Sequence, residues 1–352
     1  MKITCVVGAR PQFVKLAPFL RAAKSLKHDV RIVHTGQHYD ENLSNVFFKD
    51  LGMPAPDLNL GIGSDTQAKQ TARMLQGLEK ELLENMPEWV IVFGDTNSTL
   101  AGSLAASKIG VKVAHVEAGL RSYNRSMPEE INRIISDHIC DLLFVPSEQG
   151  MANLRKEGIE ERAIRTGDLM ADVLIHFQNK LPDDIFTKLN VKPNDYYLLT
   201  LHRPASVDEG AMLNWMIKQA SKLEKTVIFP VHPRTQHSIE REKINLNKYI
   251  KLIPPLGYLD FQALMSKAIA VLTDSGGIQK EAYIWKVPCF TLRTETEWNE
   301  TIETGWNTLV RPKKDEITEA VNQWKRPSAH PSLYGNGNSA KDIIMALEQV
   351  RL

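Results

Sequence analysis

Carboxylates, histidines and arginines stand directly after apolar runs along this 352-residue chain. Asp95 follows the run Trp89–Phe93 in Gly94-Asp95-Thr-Asn-Ser98, and Glu117 follows Val111–Val116 in His115-Val-Glu117-Ala-Gly119. Two carboxylates at neighbouring strand ends are what general acid–base chemistry requires. They equally suit a sugar-hydroxyl site, and Asp95 also suits a helix N-cap; the residues alone leave these readings open. Glu129 and Glu130 open a helix at Pro128, where the dipole favours acids, and Glu129 and Arg133, four apart, share a face. Two histidines stand at strand ends, in His202-Arg203-Pro204 and in His232-Pro-Arg234. Their spacing matches no H-E-x-x-H or Cys/His cluster, so no metal is expected.

A second chemistry is that of anion binding. The stretch Ile269-Ala-Val-Leu-Thr-Asp-Ser-Gly-Gly-Ile-Gln-Lys-Glu-Ala282 reads as a buried strand, a glycine turn and a helix start. Unpaired backbone N–H groups and the helix dipole then point at one spot. Ser275 adds a hydroxyl, while Gly276 and Gly277 let a phosphate approach the backbone. Glu281, one turn on, can reach ribose hydroxyls. Arg10 and Lys15 flank the turn Gly8-Ala-Arg-Pro-Gln12, Gln37 lies in His34-Thr-Gly-Gln-His-Tyr-Asp40, and Arg293 follows another apolar run.

The elements that must position these groups alternate from end to end. Strands are expected at Ile3–Val7, Val30–His34, Trp89–Phe93, Val111–Val116 and Leu142–Val145. A second set is expected at Tyr196–Leu201, Thr226–Pro230, Ile250–Ile253, Ile269–Leu272 and Val287–Leu292. Helical patterns intervene, among them Phe13–Lys24, Gln67–Glu84, Ser98–Lys108, Ala211–Leu223 and Ala340–Val350. Such alternation implies parallel sheets covered by helices. The fold class expected is α/β: two doubly wound Rossmann-like parallel-sheet domains facing a cleft, residues 1–167 and 168–352. In such sheets ligands bind beyond the carboxyl ends of the strands.

Composition narrows the partners. Lys plus Arg number 43 against 42 for Asp plus Glu, so no general electrostatic pull toward nucleic acid or anionic membrane exists. No apolar run approaches the ~20 residues of a bilayer span. The N-terminus runs straight into a strand and a glycine turn, unlike a signal peptide. Cys5, Cys140 and Cys289 form no C-x-x-C pair and are expected as buried thiols in a reducing compartment. The expected location is cytoplasmic.

Read together, the strand-end motifs resemble the non-hydrolysing UDP-N-acetylglucosamine 2-epimerase family. The matching residues are Gly8-x-Arg10-Pro11, Lys15, Gln37-His38, Gly94-Asp95-Thr96 and His115-Val-Glu-Ala-Gly-Leu-Arg121. They continue through Pro128-Glu-Glu-x-Asn-x-Arg133, His202-Arg203, His232-Pro233 and Leu272-Thr-Asp-Ser-Gly-Gly277, with Gln279 and Glu281. The resemblance covers essentially the whole chain in order. It implies a GT-B-like fold with the last helix crossing back to the N-terminal domain, a homodimer, and inversion at C2 of a UDP-2-acetamido sugar. By the same resemblance Asp95, Glu117, Glu129 and His202 occupy catalytic positions. Arg10, Lys15, Gln37, Arg133, Arg203, His232, Ser275, Gly276, Gly277, Glu281 and Arg293 occupy substrate or UDP positions. No cofactor is implied.

Departures from the family pattern bear on the substrate. Gln12 stands where many bacterial members have Glu, and Thr296-Glu-Trp-Asn-Glu replaces the commoner Thr-Glu-Arg-Pro-Glu. The motifs Gly-Ala-Arg-Pro-Gln-Phe, His-Thr-Gly-Gln-His-Tyr-Asp-Glu-Asn and Thr-Glu-Trp also resemble a sister branch that epimerises UDP-2,3-diacetamido-2,3-dideoxy-glucuronate. A substrate carboxylate would need an extra cation, for which Arg125 or Lys280 is available. A GT-B glycosyltransferase would share the fold and phosphate loop without needing the Asp95, Glu117 and Glu129 set. A nucleotide-sugar binding protein that has lost catalysis stands as a third reading.

Overall fold

The computed structural model describes residues 1–37, 48 and 50–350. The chain divides into two compact units: residues 1–176 with the segment from Ser332 onward, and residues 177–331. The division falls after the helix Leu169–Phe177 has begun, rather than at residue 167.

The first unit is built on seven parallel strands: β1 (Lys2–Val7), β2 (Asp29–His34), β3 (Leu58–Asn59), β4 (Trp89–Phe93), β5 (Lys112–Val116), β6 (Leu142–Val145) and β7 (Ala163–Arg165). Their order is β3-β2-β1-β4-β5-β6-β7. Every residue of β4 and β6 is buried, which explains why these strands read as continuous apolar runs and do not alternate. One face carries Val6, Val33, Val90, Val92 and Val113, packed against Met74, Leu78 and Leu82 of the helix Gln67–Glu84 and Ala101 and Ala105 of the helix Asn97–Lys108.

The second unit has six parallel strands: β8 (Tyr196–Thr200), β9 (Thr226–Pro230), β10 (Ile250–Ile253), β11 (Val271–Thr273), β12 (Cys289–Thr291) and β13 (Asn307–Leu309), ordered β10-β9-β8-β11-β12-β13. The period-2 alternation of strand side chains is visible here on both faces. Leu199, Phe229, Leu272 and Phe290 enter one core. Their neighbours Leu198, Ile228, Val271 and Cys289 enter the other.

Each expected strand is present, with ends moved by no more than two residues: β1 and β2 start one residue earlier, and β11 starts two later and ends one later. Three were not anticipated: β3, β7 and β13. All are two or three residues long and all are sheet edges. In each unit the strand order reverses beside the first strand of its set, between β1 and β4 and between β8 and β11. These switch points are where open α/β sheets bind ligands.

The C-terminal helix Ser339–Gln349 belongs to the first unit and packs on the helix Arg10–Ser25. Its first turn is held by Asp172, which accepts from the N–H groups of Ser339 at 3.2 Å and Ala340 at 2.7 Å. No helix among the described residues is long and apolar enough to cross a membrane.

Candidate active site

In the first unit the carboxyl ends of β1, β4 and β5 bring four of the expected residues together. Lys15 is on the helix Arg10–Ser25, which Pro11 starts in its first turn. Its ammonium pairs with the Glu117 carboxylate, both side chains being almost fully buried. Glu117 itself adopts a left-handed φ of 74°, a conformation that costs a non-glycine residue about 1–3 kcal/mol and collects at functional sites. Gly94 turns the chain after β4 with φ +65°; a Cβ there would lie 3.2 Å from Glu117 Oε2 and 3.4 Å from Lys15 Nζ. Asp95 comes next, and Arg133 donates to its carboxylate at 2.6 Å.

The two carboxylates have different surroundings. Glu117 is paired with the Lys15 ammonium. Asp95 keeps 34% of its side chain accessible, yet protein crowds the rest. Desolvation raises its pKa above the usual aspartate range, and the charges of Glu117 and Glu129 add to this against the pull of Arg133 and Lys15. Paired titratable groups whose environments diverge in this way are what acid and base roles require.

The helix Pro128–Ile139 supplies three neighbours, Glu129, Glu130 and Arg133. Arg133 turns toward the strand ends. It is 3% exposed and donates to Glu130 at 2.6 Å, as well as to Asp95. Glu130 also accepts from the N–H groups of Ser122 at 2.9 Å and Tyr123 at 2.8 Å, so it anchors the loop before the helix Pro128–Ile139. Glu129 is exposed in the first turn and reaches Asp95 through its charge. Arg10, at the start of its helix, is partly exposed.

Gln12 is buried and uses both ends of its amide. Its oxygen accepts from Gly8 N at 2.7 Å and Ala9 N at 3.0 Å, while its nitrogen donates to the Phe93 carbonyl at 2.7 Å. An ionised Glu could not make the last bond, so this departure from the family pattern ties the β1 turn to the end of β4. Gln37 accepts from Ser98 N at 3.1 Å and Oγ at 2.8 Å, also beside β4. His38, Tyr39 and Asp40 lie outside the described residues.

In the second unit the other cluster gathers at the β8/β11 switch. Asp274, fully buried, accepts from the backbone N–H groups of His202 and Arg203, the latter at 3.0 Å, and pairs with the His202 ring at 3.0 Å. Burial alone would raise the Asp274 pKa. The His202 ring, followed by the Arg203 N–H and Ser206, outweighs burial and lowers it. His202 remains 59% exposed at its side chain, aimed from β8 by a carboxylate behind it. Ser275 occupies the N-cap position of the helix Gly276–Ile284, with no capping hydrogen bond from its side chain. Nothing lies within 4 Å of where a Cβ on Gly277 would stand, whereas one on Gly276 would meet Glu297 Oε1 at 2.2 Å. Arg293, 7% exposed, donates to Glu297 at 3.0 Å. Glu281 is buried and accepts from the Tyr258 hydroxyl at 3.3 Å. His232 is exposed at the start of the helix Pro233–Arg241, where it accepts from Arg234 N at 3.3 Å. Of the two extra cations considered, Arg125 is exposed, but Lys280 is 1% exposed with its ammonium 4.1 Å from the Trp298 ring centroid. Lys280 is thus part of the core and does not present its charge at the surface.

The sequence reading passed over Asp137 and the supporting role of Glu130. Glu130, Arg133 and Asp137 are spaced by three and four residues, a buried polar stripe on a helix whose Ile131 and Ile135 face outward. That reversed amphipathic pattern was the available signal.

The geometry can be set beside known proteins. The family model for UDP-N-acetylglucosamine 2-epimerase matches residues 21–348. The UDP-N-acetylglucosamine 2-epimerase homolog of Methanococcus maripaludis is 45% identical over 358 residues, covering 99% of this chain and 100% of its own. The UDP-2,3-diacetamido-2,3-dideoxy-D-glucuronate 2-epimerase of Pseudomonas aeruginosa is 41% identical, covering 99% and 100%. A crystal structure of Methanocaldococcus jannaschii UDP-GlcNAc 2-epimerase in complex with UDP-GlcNAc and UDP superposes with a TM-score of 0.91 at 42% identity, covering 99% of this chain and all of that one. From its motifs, its two switch-point clusters and these full-length matches, this chain belongs to the UDP-N-acetylglucosamine 2-epimerase family.

Proposed function

We propose that the protein is a non-hydrolysing isomerase that inverts C2 of a UDP-N-acetylhexosamine, converting UDP-GlcNAc to UDP-ManNAc. The observation that carries this reading is the pair of strand-end carboxylates with different surroundings, Glu117 beside Lys15 and Asp95 in a crowded, partly anionic setting. The C2 proton is not next to a carbonyl, so its simple removal would leave an unstabilised carbanion. Loss of UDP from C1 as the C2 proton departs avoids this and forms a 2-acetamidoglucal. UDP then returns to C1 while a proton arrives on the other face of C2.

Glu117, paired with Lys15, is the base in the gluco-to-manno direction, and Asp95, whose pKa burial raises, is the acid; the roles exchange in reverse. Glu129 tunes Asp95 through its charge, and Arg133 orients it. The second unit supplies the UDP contacts. The Ser275-Gly276-Gly277 turn and Arg293 stabilise the departing pyrophosphate, Glu281 takes ribose hydroxyls, and His202 acts at the leaving group. Arg10, Gln37, Arg203 and His232 complete the substrate contacts. None of these steps calls on a metal or a nicotinamide.

A second substrate is favoured by one specific observation, the 41% identity to the P. aeruginosa diacetamido-glucuronate enzyme. With Lys280 buried, the exposed Arg125 is the remaining candidate for the additional carboxylate. We also propose a homodimer, supported by Ile131 and Ile135 exposed on the helix Pro128–Ile139, and a cytoplasmic location, consistent with three buried free thiols. Incubation with each UDP-sugar and analysis of the intact products tests the function. The manno epimer from UDP-GlcNAc supports the main reading. Turnover of the diacetamido-glucuronate alone replaces the substrate, and free UDP with released sugar contradicts the non-hydrolysing reaction.

A further inference from the structure

Beneath the first cluster lies a buried set of charges that the reaction as written does not use. Asp137, on the helix Pro128–Ile139, is fully buried, as is His115 at the end of β5; Arg121 is 5% exposed. One Asp137 oxygen faces His115 Nδ1 at 2.7 Å. The other accepts from Gly119 N at 3.1 Å and from the Arg121 guanidinium at 2.7 Å. Thus a single carboxylate grips the chain two residues before Glu117, two after it and four after it. Between those grips Glu117 holds its left-handed φ of 74°.

The other face of the His115 ring reaches the second carboxylate's turn. Nε2 lies 2.7 Å from the carbonyl oxygen of Gly94, the residue that precedes Asp95. Gly94 N in turn donates to Val116 O at 2.9 Å. A carbonyl oxygen can only accept, so Nε2 must carry a proton. Asp137 is held below the usual carboxylate range: burial opposes this, but the hydrogen bond and charge of His115 and the charge of Arg121 outweigh it. The His115 ring thus bridges Asp137 and the turn that precedes Asp95. Arg121 passes the remaining charge outward through a two-pronged pair with Glu157, both bonds at 2.7 Å.

We propose that Asp137 is a positioning residue of the reaction: through His115 and through Arg121 it fixes the backbone segments that carry Glu117 and Asp95. The proposal rests on the reading that these two carboxylates transfer the C2 protons. Displacements of about 1 Å in reacting groups cost on the order of 10²-fold in rate. Asp137 thus acts on turnover without touching substrate.

Two measurements on the full-length protein test this. In protein labelled with ¹⁵N-histidine, the His115 ring, assigned by its loss in His115→Gln, is expected to carry a proton on Nε2, the nitrogen that faces the Gly94 carbonyl. Asp137→Asn is expected to lower kcat on the order of 10²-fold with KM and the Kd for UDP within about twofold of the native protein. A His115 Nε2 without a proton in the native protein, or native kcat in a folded Asp137→Asn, overturns the proposal. The spectrum of the native protein stands even if the variant does not fold. Asp95→Asn and Glu117→Gln measured alongside separate the two readings. If they remain active, the proton-transfer assignment fails; if they are inactive while Asp137→Asn is native in kcat, only the positioning role fails.

Discussion

Asp95 and Glu117 are the proposed proton-transfer groups, and each is paired with a different cation, Arg133 and Lys15. Asp95→Asn or Glu117→Gln is expected to lower turnover at least ~10²-fold, the low end for acid–base groups, while UDP binding is retained because the proposed pyrophosphate and ribose contacts, Ser275, Gly276, Gly277, Arg293 and Glu281, lie elsewhere in the chain. Native turnover with the Glu117→Gln variant, read in a product assay, would remove it from the mechanism. Asp274 has a different part. It satisfies two backbone N–H groups and the His202 ring from a fully buried position. Asp274→Ala is expected to cost about 1–3 kcal/mol in a denaturant titration, the penalty for leaving buried donors unpaired. Because the folded-state pKa of Asp274 is lowered, its contribution is present above the ordinary aspartate range and is lost as the pH falls through the folded value. Asp137 follows the same sign. Stability of the native protein should therefore fall on acidification below the ordinary aspartate range. The Asp274→Ala variant should show a shallower fall, and equal slopes for the two would show that the burial cost cancels the partners.

Elements explain what the chain disclosed in advance. Strands such as β4 and β8 were legible because burial on both faces leaves an apolar run with polar residues at its carboxyl end, and those polar residues form the candidate site. Edge strands β3, β7 and β13 were not, since two or three residues carry no pattern and their pairing is decided by neighbours distant in sequence. Asp95, Glu117, Lys15 and the Ser275-Gly276-Gly277 turn could be read from position alone. Which carboxylate Arg133 would choose could not, because it depends on how the helix Pro128–Ile139 is rotated against β4. The same limit hid Asp137. At this scale the glycine turn offers a clean test. A methyl group on Gly276 meets the carboxylate end of Glu297, which can swing aside, and touches Trp298 Nε1 at 3.5 Å, while one on Gly277 meets open space. Neither residue has a positive φ in the left-handed region. Gly276→Ala and Gly277→Ala are accordingly expected to keep native thermal stability but to weaken UDP binding at least about tenfold by calorimetry, since close approach of phosphate to the backbone needs the missing Cβ. Unchanged affinity in both would move the pyrophosphate away from this turn.

For the molecule as a whole, one chain reversal matters to the first unit. The segment from Ser332 returns to it, and Asp172 caps the final helix. Asp172→Ala is expected to remove about 0.5–2 kcal/mol, as loss of a cap does, and to speed amide exchange selectively in Ser339–Gln349. Uniform exchange across the unit would show that the helix does not open on its own. The central claim is larger than any one residue: UDP leaves and returns while a proton is exchanged at C2 on opposite faces. Its most direct measurement is turnover of UDP-GlcNAc in deuterated water, with the nucleotide sugar recovered and analysed by NMR and mass spectrometry. The account expects one deuterium at C2 of the manno epimer, with the sugar still joined to UDP. A manno product that keeps its original C2 hydrogen would contradict it.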